Sequence, residues 1–149
     1  MRRSFSLLAI LVPVTLAIAG FSSSDMLPLD DDAIQYNTSP ANDPVIDLQQ
    51  RIDKGQTKLK YEGDLGYLKS VLDALDISTT SQVLVFSKTS FQAPRIGPRM
   101  PRALYFRDDV AIGFVRTGDV LELAATDPKE GIRFYTLNQE PTEHPKFER

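Results

Sequence analysis

The chain has 149 residues, with 17 basic and 20 acidic side chains, a net charge of −3 and 42% hydrophobic residues. That length suits one domain, and the acidic balance argues against a nucleic-acid binder, which is normally basic. With no cysteine and a single histidine, His144, the chain has no disulfide, no thiolate metal site, no cysteine nucleophile and no haem attachment of its own. It also lacks the residues of a His-rich metal centre.

Residues 1–19 carry the three parts of a secretory signal peptide in order. Arg2 and Arg3 form the positive start, residues 7–19 form an apolar run of 13, and Ala17-Ile18-Ala19 is a small-x-small cleavage pattern. Extended to Phe21 the run has 15 residues, short of the roughly 20 needed to span a bilayer. The expectation is an exported, periplasmic protein, touching a membrane only through an uncleaved signal, which would anchor it by residues 7–21. Cleavage leaves 15 basic and 20 acidic residues, a net charge of −5. Residues 20–42 read as an acidic, disordered linker, because from Asp25 to Gln50 there are six aspartates and no Lys or Arg.

A single α+β domain is expected over residues 43–140. Asp43-Pro44 has the chemistry of a helix start, a capping carboxylate followed by a proline whose missing N–H costs nothing there. Val45, Leu48 and Ile52 follow at helical spacing, and Gly55 closes the segment. After Gly63-Asp64, the stripe Leu65, Leu68, Val71, Leu72 and Leu75 predicts a second amphipathic helix. Leu59 and Tyr61 between them suit a short extended piece. Five strand-like runs come next, at residues 82–87, 103–106, 110–116, 120–125 and 132–137, rich in β-branched and aromatic residues. Short links between the last three require antiparallel pairing. The expected architecture is two N-terminal helices followed by a curved antiparallel meander of four to five strands. Tyr105, Phe106, Phe114, Phe134 and Tyr135 are expected in the core and in cross-strand pairs. Glu122, alternating with apolar neighbours, is expected to face water. Residues 141–149, with Pro141, His144 and Pro145, read as an unstructured tail with an exposed histidine.

Residues 88–102, KTSFQAPRIGPRMPR, stand out as a 15-residue connection between strands. Loops this long without structure of their own tend to be functional or mobile. The segment holds Lys88, Arg95, Arg99 and Arg102, no acid, and Pro94, Pro98 and Pro101. Phe91, Ile96 and Met100 are apolar and suited to pinning it to the body. Guanidinium groups offer planar paired donors to carboxylate or phosphate, a haem propionate included. These four cations are the candidate ligand-binding residues for an anion; the competing reading is a rigid surface loop paired with the acidic linker. Asp108-Asp109 reads as a polar turn. Ser87, Thr89 and Ser90 have no histidine nearby in sequence, and Gly-x-Ser-x-Gly, a Walker loop and Gly-x-Gly-x-x-Gly are all missing. No catalytic constellation is visible, and no metal-ligating set.

Gly66-Tyr67-Leu68, then SQVLVFSKTSFQ at residues 81–92, PRALYFRDDVAIGFV at 101–115 and LELAATDPKEGIRFYTL at 121–137 resemble an uncharacterised family of exported bacterial proteins. Members of that family often continue into a Cys-x-x-Cys-His haem-attachment motif. In plan it is similar to small β-rich c-type cytochromes, although likeness of layout does not fix function. This chain departs from the pattern at Lys146-Phe147-Glu148-Arg149, where the haem motif would be expected to follow. Two expectations result. The first is an exported domain of a c-type-cytochrome-like protein, with no cofactor in this chain, haem c if the protein continues beyond Arg149, and a sheet forming one wall of the haem pocket. The second is a periplasmic module that binds a small anion or an envelope protein through the basic loop 88–102.

Overall fold

The computed structural model describes residues 38–149; the signal peptide expected at residues 1–19 and most of the linker expected at 20–42 lie outside the described residues. Helix α1 spans Pro44–Asp53. It starts where it does because the Asp43 carboxylate accepts the N–H groups of Val45 at 2.9 Å and Ile46 at 3.1 Å, donors that have no partner inside a first turn. The second helix is shorter than its apolar stripe. Gly63–Leu65 is a separate 3-10 turn, Gly66 turns the chain at φ 56°, and α2 covers only Leu68–Ala74. A glycine at positive φ interrupts the helical path, and Leu65 is left exposed.

Six strands follow: β1 Val83–Val85, β2 Arg102–Arg107, β3 Val110–Val115, β4 Val120–Asp127, β5 Gly131–Asn138 and β6 Phe147–Glu148. They form one sheet in the order β1-β2-β3-β4-β5-β6, every neighbouring pair antiparallel. The expected architecture is therefore corrected. The domain is mostly sheet, with one main helix of ten residues and a second of seven, and the sheet has six strands rather than four or five. The added strand comes from the tail expected to lack structure. Phe147 pairs with Leu137, its N–H donates to Gln49 Oε1 of α1 at 2.9 Å, and its ring is buried in the core. A two-residue strand has no periodicity to betray it.

One sheet face makes the core. Tyr105 of β2, Ile112 of β3, Leu121 and Leu123 of β4 and Leu137 of β5 pack against Val45 and Leu48 of α1 and Leu68, Val71 and Leu72 of α2. Fully burying one such aliphatic side chain contributes about 1.5–3 kcal/mol. The same face buries charge. Arg133 is fully buried, its Nε 3.3 Å from Asp127 Oδ2, and its Nη2 donates to Ser39 Oγ at 2.6 Å. Asp127 also accepts the backbone N–H groups of Asn42, Lys129 and Glu130. Those donors, Asn42 foremost, together with Arg133, outweigh the effect of burial and hold its carboxyl down at about 2. The Tyr135 hydroxyl donates to Asp43 Oδ2; burial and the bond to that carboxylate push its pKa up. Residues 39–43, expected to belong to a linker and its edge, are thus fastened to the sheet by Asp127, Arg133 and Tyr135.

Candidate functional site

In an antiparallel sheet, directly paired residues project from the same face. Opposite the core, one row crosses four strands as Phe106, Ala111, Ala124 and Phe134. The next row runs Val83, Leu104, Gly113, Glu122 and Thr136. The middle strands therefore present small residues, Ala111, Gly113 and Ala124, and the outer strands present large ones. The result is a low alanine–glycine floor with Phe134 standing beside it. Phe106 and Phe134 are 46% and 61% exposed, which corrects their expected place in the core: the register puts them on the other face.

The connection after β1 crosses this open face and closes one end of it. Ser90 Oγ donates to Glu122 Oε1 at 2.6 Å, and Gln92 Nε2 donates to the Val120 carbonyl at 3.0 Å. Arg95 reaches the β3–β4 turn, with Nη1 on the Thr117 carbonyl at 3.1 Å and Nη2 on both Asp119 oxygens at 2.8 and 2.9 Å. Ile96 of the loop and Val115 of the covered sheet end are buried, outside the main core. The segment expected to lack structure contains a 3-10 turn at Ala93–Arg95 and a tight turn closed by the Gly97–Met100 bridge. Prolines and buried Gln92 and Ile96 fix it. Phe91, expected to pin the loop, is exposed instead.

What the loop leaves open is a cleft of about 690 Å³, lined by Lys88, Thr89, Ser90 and Phe91 above and by Arg102, Leu104, Ala111, Gly113, Glu122, Ala124 and Phe134 below. This volume lies in the range of small-molecule sites. Its polar end is an ion pair. Arg102 Nη1 lies 2.9 Å from Glu122 Oε2, with the two side chains only 13% and 15% exposed. Arg102 on β2 reaches Glu122 on β4 by lying across β3 at Gly113. A Cβ there would stand 3.4 Å from Arg102 Cδ and 3.4 Å from Leu104 Cδ2, so both side chains lie directly over the glycine. Glu122 was expected in water; Ser90 and Arg102 hold both its oxygens inside the cleft instead.

The four expected anion ligands separate. Lys88 and Arg102 line the cleft. Arg95 is a fastener, occupied by Asp119 and Thr117. Arg99 is exposed in the turn between Gly97 and Met100. The floor residues Ala111, Gly113 and Ala124 were not singled out from sequence, although a glycine inside a strand run is a signal of close approach. A second, polar cleft of about 790 Å³ lies beside α1, lined by Asp47, Arg51, Lys54, Asp76, Arg107 and Asp109 among others. Part of its charge is already spent within the chain: Arg107 pairs with Asp109 at 2.7 Å, and Arg51 donates to the Ala74 carbonyl at 2.9 Å. His144 is exposed on the C-terminal segment and lines neither cleft. Among the described residues no group of three or more His, Cys, Asp or Glu could hold a metal ion, and no helix is long and apolar enough to cross a membrane. Comparison of the chain with protein-family models, with curated proteins and with solved structures found no match.

Proposed function

We propose that this domain is a binding module and that its site is the cleft on the open face of the sheet. The observation that carries the reading is the cross-strand row Phe106, Ala111, Ala124 and Phe134. A sheet that only needed to be soluble would place polar side chains on its solvent face. This one places Phe134 beside a floor of methyl groups, and a loop fastened by Ser90, Gln92 and Arg95 bounds one end. The polar groups are few and gathered at that end, the pattern of a small-molecule site. Combined with the export signal read in residues 1–19, the proposal is an exported module that holds a largely apolar molecule. The expectation of a haem-pocket wall drew on the loop arginines for propionates; Arg95 is taken up by Asp119 and Thr117 and Arg99 stands outside the cleft, so the binding-module reading has the better support.

Nile red, an uncharged dye that fluoresces in apolar surroundings, tests the site. It should bind saturably to the folded domain. Ala124→Leu, which fills the floor without touching the core, should weaken binding about tenfold, the effect of losing roughly 1.4 kcal/mol of contact. Unchanged dye binding by a folded Ala124→Leu variant would place the dye elsewhere and remove the proposal.

A further inference from the structure

The cleft is charged at one end only, and that end is not neutral. Between residues 77 and 107 the sequence has five basic residues and no acidic one, in a chain whose net charge is −3. Two of the five, Lys88 and Arg102, line the cleft against a single carboxylate, Glu122. Both Glu122 oxygens are engaged, one by the Ser90 hydroxyl and one by Arg102 Nη1. One positive charge is therefore left over, and Lys88 makes no ion pair among the described residues.

The donors point the same way. A guanidinium has five N–H groups, and Arg102 has one side-chain partner, Glu122. Its Nε is buried without a hydrogen-bond partner, and its Nη2 has none among the described residues. Donors left unmet beside an apolar wall favour any acceptor brought to them, because water competes poorly there. A carboxylate matches the guanidinium fork and the single excess charge. A phosphate monoester would bring about two negative charges, more than this end balances.

We infer that the cleft takes an amphipathic monoanion, its apolar body on the alanine–glycine floor beside Phe134 and its single carboxylate at Arg102 and Lys88. The inference rests on the reading of the cleft as the binding site. Straight-chain and aromatic carboxylates share the required chemistry, and comparison of dodecanoate with naphthoate tells them apart.

Calorimetric titration below the aggregation concentration of each ligand tests the inference. Dodecanoate should bind at least about tenfold more tightly than dodecanol, which has the same body and no charge. Lys88→Gln, a change at an exposed position, should reduce that preference about threefold to fivefold, and added salt should reduce it further. Arg102→Gln combined with Glu122→Gln removes both partners of the pair together, so neither charge is left buried alone, and should abolish most of the preference. Equal affinity for dodecanoate and dodecanol, both lost in Ala124→Leu, would overturn the anion while leaving the cleft as the site. Tighter binding of dodecyl phosphate would overturn the choice of carboxylate. A preference for dodecanoate that survives in both charge variants would place the anion elsewhere and also overturn the inference. If neither dodecanoate, naphthoate nor dodecanol binds the folded domain, and Nile red does not, the cleft reading itself fails.

Discussion

The two faces of the sheet are built from the same strands and differ chiefly in the size of what they carry. Toward the helices, β3 and β4 project Val110, Ile112, Leu121 and Leu123, all buried. Toward the open side the same strands project Ala111, Gly113 and Ala124, one residue out of step. Large side chains on one face fill the space against α1 and α2; small ones on the other leave it empty. Each face also buries an ion pair. Arg133 and Asp127 are sealed beneath the segment carrying Ser39 and Asn42, whereas Arg102 and Glu122 stand at the end of a cleft. A sheet apolar on both sides is therefore a core on one side and a receptacle on the other, and side-chain volume decides which.

Substitutions can break this contrast. The largest effect should come from the filled face: Ile112→Ala should cost about 2–5 kcal/mol in urea unfolding, because it removes a fully buried side chain and leaves a cavity. Asp127→Asn should come next, lowering the melting temperature at neutral pH. It should also flatten the acid limb of stability. The folded-state pKa of Asp127 is lowered from 3.8 to about 2, so the unfolded chain binds the proton first. Its stabilisation is complete above the ordinary value and is lost as pH falls from 3.8 toward about 2. A loss of about 2–3 kcal/mol is expected from Asp43→Ala, which uncaps the first turn of α1 and leaves the buried Tyr135 hydroxyl without its acceptor. Arg95→Gln should cost under about 1 kcal/mol, since its pair with Asp119 is exposed. Ala124→Leu should be the smallest, within about 0.5 kcal/mol by thermal melting. If it destabilised the domain as much as Ile112→Ala, the two faces would be equivalent and the contrast lost.

Parts of this arrangement are legible in the sequence. Asp43-Pro44 announces the start of α1 because cap chemistry is local. Asp108-Asp109 and Asp127-Pro128 mark turns for the same reason. The end of α2 at its N-terminal side is less legible: the leucine stripe continues through Leu65, and only the positive φ of Gly66 stops it. The tail strand depends on a partner, Leu137, ten residues away along the chain. The site was legible as a loop but not as a cleft. Residues 88–102 advertise themselves by length, arginine and proline, yet the ion pairs that decide their roles lie 24 and 20 residues off, at Asp119 and Glu122. The floor was hidden because alanine within a strand carries no chemical signal and Gly113 marks only a close approach; the rest comes from register, which sets Ala111 opposite Phe106 and Ala124 opposite Phe134.

Amide chemical-shift mapping by NMR during dodecanoate titration tests the central claim most directly. The account predicts that shifts concentrate at residues 88–91 and at Leu104, Ala111, Gly113, Glu122 and Ala124, while Ile112 and Leu121 stay nearly still. Shifts centred on Asp47, Arg51 and Lys54, in the polar cleft beside α1, would contradict it.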